Sequence, residues 1–63
     1  MIQQVKKKII ENNGRIVEET SSRLRATFSE TDIEKAIKVF FDLPKKLKEN
    51  AVLDGGYKLT VFF

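Results

Sequence analysis

The chain has 63 residues, of which 41% are hydrophobic and 33% are charged, and its formal net charge at pH 7 is +3. This composition is typical of a folded globular chain and argues against intrinsic disorder. Residues 1–63 are enough for a single domain, and a domain this small buries only about 60% of the surface of its unfolded chain.

Cysteine and histidine are both absent. Disulfide bonds and thiolate or imidazole metal sites are therefore excluded, and no cofactor-binding motif is present. No apolar run approaches the roughly 18 residues of a membrane span, and lysines at 6–8 interrupt the segment where a signal peptide would be apolar. We therefore expect a cytoplasmic protein without metal or cofactor, whose small core needs complete packing or a partner chain.

Residues 2–12 are predicted to form the first helix. Ile2, Val5 and Ile9 recur at helical spacing with polar residues between them. Asn13-Gly14 follows as a stop, because glycine readily adopts the left-handed conformation of a helix C-cap. Ile10 lies off the apolar stripe of this helix.

Residues 15–19 and 22–28 are predicted to form a β-hairpin around Thr20-Ser21. In the second strand three apolar residues alternate with three polar ones, namely Leu24, Ala26 and Phe28 with Arg23, Arg25 and Thr27. Pairing Val17 with Leu24 and Glu18 with Arg23 would match apolar with apolar and charge with countercharge. This register predicts Val17 on the covered face of the sheet and Ile16 on the open face.

Residues 30–50 are predicted to be mainly helical. Ser29 and Thr31 each precede an acidic residue by three positions, which resembles a capping box. Pro44 lies within the apolar stripe and lacks an amide donor, so we expect a break near residues 42–44 and a short helix after it. The stripe itself consists of Ile33, Ala36, Ile37, Phe40, Leu43 and Leu47.

The last segment, residues 57–63, alternates as a strand after a turn at Asp54-Gly55-Gly56, and residues 51–53 could pair back across that turn. The order α-β-β-α-β predicts an α+β fold with two helices on one face of a small antiparallel sheet. It resembles a ferredoxin-like fold that lacks its first strand. That strand lies centrally in the ferredoxin-like fold, so the final strand must pair elsewhere in the chain or with a second chain.

The residues that could carry catalysis are few. Without histidine or cysteine, proton transfer and nucleophilic attack would fall to carboxylates, lysines or hydroxyls. Glu30, Asp32 and Glu34 cluster at a helix start, where acidic residues are favoured by the helix dipole and the unpaired amides. We therefore expect no enzymatic activity.

Two surfaces are candidates for binding. The open sheet face would carry Arg23, Arg25, Lys58 and Phe62, and cations beside an aromatic ring could hold phosphates and stack a base of a nucleic acid. The second surface is apolar: Val39 and Phe41 widen the stripe of the second helix beyond what one sheet needs, and Ile10 and Phe62 are also in excess.

The apolar excess favours a non-enzymatic protein-interaction or regulatory module that is a homodimer, with a nucleic-acid-binding domain as the alternative. A kink at Pro44 that buries both flanks of the helix within the fold would remove part of the apolar excess.

Overall fold

The computed structural model describes residues 2–63 and confirms the α+β class. Three helices pack against a four-stranded antiparallel sheet. The described residues contain no helix with the length and apolar character to cross a membrane. The elements in chain order are α1 (Ile2–Glu11), β1 (Arg15–Glu19), β2 (Arg23–Thr27), a 3-10 turn (Glu30–Asp32), α2 (Ile33–Phe41), α3 (Lys45–Glu49), β3 (Ala51–Asp54) and β4 (Lys58–Phe62).

The sheet has the strand order β1-β2-β4-β3. β4 pairs with β2 on one side, where Leu24 opposes Val61, and with β3 on the other, where Leu53 opposes Leu59. The central place that a ferredoxin-like fold gives to its first strand is therefore held by the last strand of this chain, and the arrangement fits that comparison. Of the two alternatives for the final strand, pairing within the chain is the one observed, because β4 pairs with both β2 and β3.

At the end of α1, Asn13 supplies the left-handed backbone conformation and Gly14 leaves room for neighbouring side chains. Asn13 has the positive φ, 68°, whereas the sequence pattern gave that role to the glycine. The amide of Gly14 donates to the Ile9 carbonyl at 2.8 Å and the amide of Asn13 to the Ile10 carbonyl at 3.1 Å, which is the Schellman pattern. A Cβ on Gly14 would lie 2.5 Å from Ile9 and 2.7 Å from Phe28, so glycine is needed here for space.

The second helical segment breaks where Pro44 predicts it. α2 ends at Phe41, and Pro44 adopts an extended ψ of 147° before α3 begins. The start of the segment differs from a capping box, because no side chain caps a backbone amide there. The Ser29 hydroxyl instead donates to the Asp32 carboxylate at 2.9 Å.

The core lies between the sheet and the helices. Its buried hydrophobic residues are Val5, Ile9, Leu24, Ala26, Phe28, Ala36, Val39, Leu43, Leu59 and Val61.

Val39 is fully buried, so its assignment to a partner interface is wrong. The reason is that α1 packs beside α2, and the Lys8 ammonium reaches the Asp42 carboxylate at 3.4 Å. The covered side of α2 therefore faces both the sheet and α1, and Ile37 is left 38% exposed on the opposite flank.

β1 carries a bulge, and its two apolar residues face the opposite sides of the sheet from those predicted. The pairing shifts between Ile16, which opposes Ala26, and Glu18, which opposes Arg25. The extra residue puts Val17 on the open side, where it is 53% exposed, while Ile16 packs against the core. A bulge places two residues opposite one and so disturbs the alternation on which the sequence pattern depends.

Candidate binding surface on the open sheet face

The face of the sheet opposite the helices carries three rows of side chains that cross the strands. Successive residues of a strand point to opposite faces, and paired residues share a face, so the register defines each row. From one end of the sheet to the other the rows are Arg15-Thr27-Lys58-Asp54, then Glu18-Arg25-Thr60-Val52, then Arg23-Phe62.

All four residues predicted for a nucleic-acid contact lie on this face. Arg23 and Arg25 come from β2, and Lys58 and Phe62 come from the adjacent β4. Arg23 directly opposes Phe62 across the two central strands. The alternation in both strands is unbroken, which is why the sequence pattern gave their facing correctly.

Glu18 forms ion pairs with two of these cations, Arg23 and Arg25. Its Oε1 lies 2.9 Å from Arg23 Nε and 3.7 Å from Arg25 Nη1, and its Oε2 accepts a hydrogen bond from Arg23 Nη2 at 3.2 Å. The Nε–H of Arg23 is poorly aligned with Oε1, so that short contact is an ion pair rather than a hydrogen bond. Part of the positive charge of the face is therefore balanced within it.

The remaining charged side chains lie in the row Arg15-Thr27-Lys58-Asp54, at the opposite end of the sheet. Lys58 lies between Thr27 of β2 and Asp54 of β3, and its ammonium is 5.5 Å from the centre of the Tyr57 ring. Arg15 is exposed at the outer end of this row. The six charged side chains on the face are four cations and two carboxylates, which leaves it positively charged.

Three apolar side chains are exposed between these charges. Val17 and Val52 are each 53% exposed and Phe62 is 44% exposed, and they stand on three different strands. Val17 and Val52 were missed as surface residues. The bulge reverses the facing that the sequence pattern predicts for Val17. The facing of Val52 follows only once the register of the β3–β4 hairpin is known.

The residues predicted for a partner interface are not brought together. Ile10 is 61% exposed on the side of α1 next to β1, where it lines a hollow with Ile16. Phe41 is 62% exposed on α2, stands edge-on to Phe40 and lies under the Lys48 ammonium. Phe62 lies on the opposite face of the sheet, so these three residues form no common surface.

No protein-family model, curated protein or solved structure matches this chain.

Two further sets of polar side chains form contacts within the fold. Asp32 accepts from Ser29 and pairs with Lys35 at 3.7 Å, while Lys6 and Glu19 join α1 to β1 at 3.0 Å. Within residues 2–63, no group of three or more carboxylates is placed to hold a metal ion. A hollow of about 340 Å³ lies between α1 and the end of α2, over Val5, Val39 and Leu43.

Proposed function

We propose that this chain is a non-enzymatic interaction module that binds a segment of another protein on the open face of its sheet. The observation that carries the proposal is the uncovered face itself, on which Val17, Val52 and Phe62 are exposed among charged side chains. Exposed apolar groups rimmed by polar ones are typical of protein-interaction sites. On the covered face, by contrast, most of the apolar residues form the core.

The charge of the face favours a partner that carries both carboxylates and apolar side chains. Arg25 is 50% exposed and Arg15 and Lys58 are exposed, so acidic groups of a partner can reach them. Complementary charges raise the association rate and select among partners more than they raise affinity. Phe62, at a central strand, is the aromatic group suited to anchor the interface.

A selection from a random peptide library tests this proposal. We expect the enriched peptides to combine Asp or Glu with aromatic or aliphatic residues, and their affinity to fall about tenfold or more for Phe62→Ser. Phe41→Ser is the matched control, because Phe41 is also an exposed phenylalanine but lies on the helix side. Peptides that bind wild type and Phe62→Ser equally well, or a selection that enriches nothing, would refute the proposal.

The second candidate function is binding of single-stranded nucleic acid on the same face. It is favoured by the direct opposition of Arg23 and Phe62 and by Arg25 and Lys58 on the same two strands. Such a site would hold phosphates with the cations and stack one base on Phe62. It ranks second because the face has one exposed aromatic ring and because Glu18 already pairs with both arginines.

Fluorescence anisotropy with labelled single-stranded RNA and DNA tests this candidate. Binding at about 50 mM salt should weaken steeply as salt is raised, because each neutralised phosphate releases counterions. Glu18→Gln should strengthen binding by freeing Arg23 and Arg25, and Arg25→Ala should weaken it. An anisotropy that does not change at low salt removes this candidate.

A further inference from the structure

We propose that two copies of this chain associate through the outer edge of β3 and the neighbouring flank of α2, which joins their sheets into one of eight strands. The partner is a second copy, and the two copies are related by a two-fold axis that passes beside Val52. This inference concerns self-association and does not rest on the proposed function, although Val52 belongs to both surfaces.

The two edges of the sheet differ in how well they are protected against pairing. β1 carries the bulge at Val17, three charged residues, and the ion pair from Lys6 of α1 to Glu19. These are the devices that keep an edge strand from pairing with another chain. β3 has the sequence AVLD and pairs with β4 in unbroken register. The β3 edge is therefore the one open to a further strand.

The backbone groups available at that edge follow from the pairing with β4. The amide of Phe62 donates to the Asn50 carbonyl at 2.9 Å, and alternate residues of an antiparallel strand direct their backbone groups to the same neighbour. Val52 and Asp54 therefore bond towards β4, whereas the N–H and C=O groups of Ala51 and Leu53 point out of the sheet. In the described part of the chain, no turn, loop or cap forms a backbone hydrogen bond with these outward groups.

This edge is complementary to itself. When two β3 strands run antiparallel with Val52 opposite Val52, Ala51 of each copy lies opposite Leu53 of the other. Each such pair exchanges two hydrogen bonds between the outward groups, and the central Val52 pair is of the non-hydrogen-bonded type. In this register the open face of one sheet continues the open face of the other, and the helices of both copies lie on the same side.

The flank of α2 above this edge is apolar. Ile37 is 38% exposed and Phe41 is 62% exposed, and four residues apart they lie on one side of the helix. Val39 and Asp42 face α1, so Ile37 and Phe41 face away from it. Because α1 packs on β1 and α2 packs on β3 and β4, this flank lies on the β3 side of the molecule.

The spacing of strands and helices allows both contacts to form together. Strands lie about 4.8 Å apart and packed helices about 8–10 Å apart, so one helix covers two strands. In the joined sheet each α2 helix would cover β3 and β4 of its own copy, the two strands nearest the two-fold axis, and the two helices would lie about 10 Å from each other. Ile37 and Phe41 of both copies would then fill the seam between the helices.

Sedimentation equilibrium on wild type and matched variants tests the interface. We expect a reversible dimer whose dissociation constant rises about tenfold or more in Val52→Lys, because two like charges would meet at the axis. Phe41→Glu should have a similar effect. The controls are Val17→Lys and Ile10→Glu, which alter residues of nearly equal exposure on the β1 side, and these should leave the dimer intact.

A cysteine variant gives a positive test. The chain has no cysteine of its own, and the Cα atoms of a non-hydrogen-bonded pair lie about 4.5 Å apart, within the range a disulfide spans. Mild oxidation at low protein concentration should therefore convert Val52→Cys into a covalent dimer faster than Val17→Cys.

Three outcomes would overturn the inference. The first is a wild-type chain that remains monomeric at the highest concentration tested. The second is a dimer that survives Val52→Lys and Phe41→Glu but is lost in Ile10→Glu. The third is equal oxidation of the two cysteine variants. A dimer that fails to form while peptide binding persists would leave the proposed function standing, since the two measurements are separate.

Discussion

The two faces of the sheet share one backbone but differ in how much apolar surface they bury. The covered face buries Leu24, Ala26, Leu59 and Val61 to within a few per cent of full burial. The open face leaves Val17, Val52 and Phe62 about half exposed. Burial of apolar surface is the main favourable contribution to folding, so most of the stability comes from one face and the other can be changed without unfolding the chain.

Leu59→Ala should give the largest effect, because Leu59 is 1% exposed in the central strand. Loss of a buried leucine costs about 2–5 kcal/mol, a large part of the total stability of a domain of this size. Urea unfolding followed by circular dichroism measures the change. Phe62→Ala, in the same strand on the open face, is the control and should cost much less. Equal losses would mean that the open face also contributes to the core.

Gly14→Ala should come next, with a loss of about 1–3 kcal/mol. The new methyl would overlap Ile9 and Phe28, both of which belong to the covered side. Asn13→Gly, at the neighbouring position with positive φ, is the control and should leave stability nearly unchanged, since glycine adopts that conformation readily. If unfolding showed no loss for Gly14→Ala, the packing between the end of α1 and β2 would be looser than described.

Glu18→Gln should change stability by less than about 1 kcal/mol, because exposed ion pairs contribute little. Glu18 and its partners Arg23 and Arg25 are all between about one third and one half exposed. The difference from wild type should disappear in high salt, which screens exposed charges. A loss that persists at high salt would show that Glu18 is needed for the fold.

Val17→Thr should have the smallest effect, within about 0.5 kcal/mol of wild type. Threonine keeps the β-branched shape that suits a strand, and the side chain is exposed. The same exchange at Val61, which is fully buried, would place an unpaired hydroxyl in the core and should be clearly destabilising. The pair therefore measures the difference between the two faces with one chemical change.

Local patterns predicted most of the elements. The alternation in residues 22–28 and 57–63 gave the facing of β2 and β4, and Pro44 gave the break between α2 and α3. These features depend on period and on single-residue chemistry, which a sequence displays directly. The open-face residues Arg23, Arg25, Lys58 and Phe62 were grouped correctly for the same reason.

The errors arose where tertiary packing, rather than a local pattern, determines which side chains are buried and which strands pair. Val39 is buried because α1 lies beside α2, and helical periodicity alone does not tell which flank another helix will cover. Val17 faces outward because of a bulge that no turn or glycine residue marks. The central place of β4 depends on pairing between segments far apart in sequence, which local patterns do not encode.

That central place has a consequence for how the chain folds. The β1–β2 and β3–β4 hairpins join neighbours in sequence and can form quickly, whereas β2 and β4 meet only after the long intervening segment closes. Docking of the two hairpins should therefore limit the folding rate, and substitutions at the β2–β4 seam should slow folding more than those at the outer strands. Stopped-flow refolding of Leu59 and Ile16 variants would compare the effects at these two places on the folding rate, since Leu59 lies in the seam and Ile16 at the β1 edge.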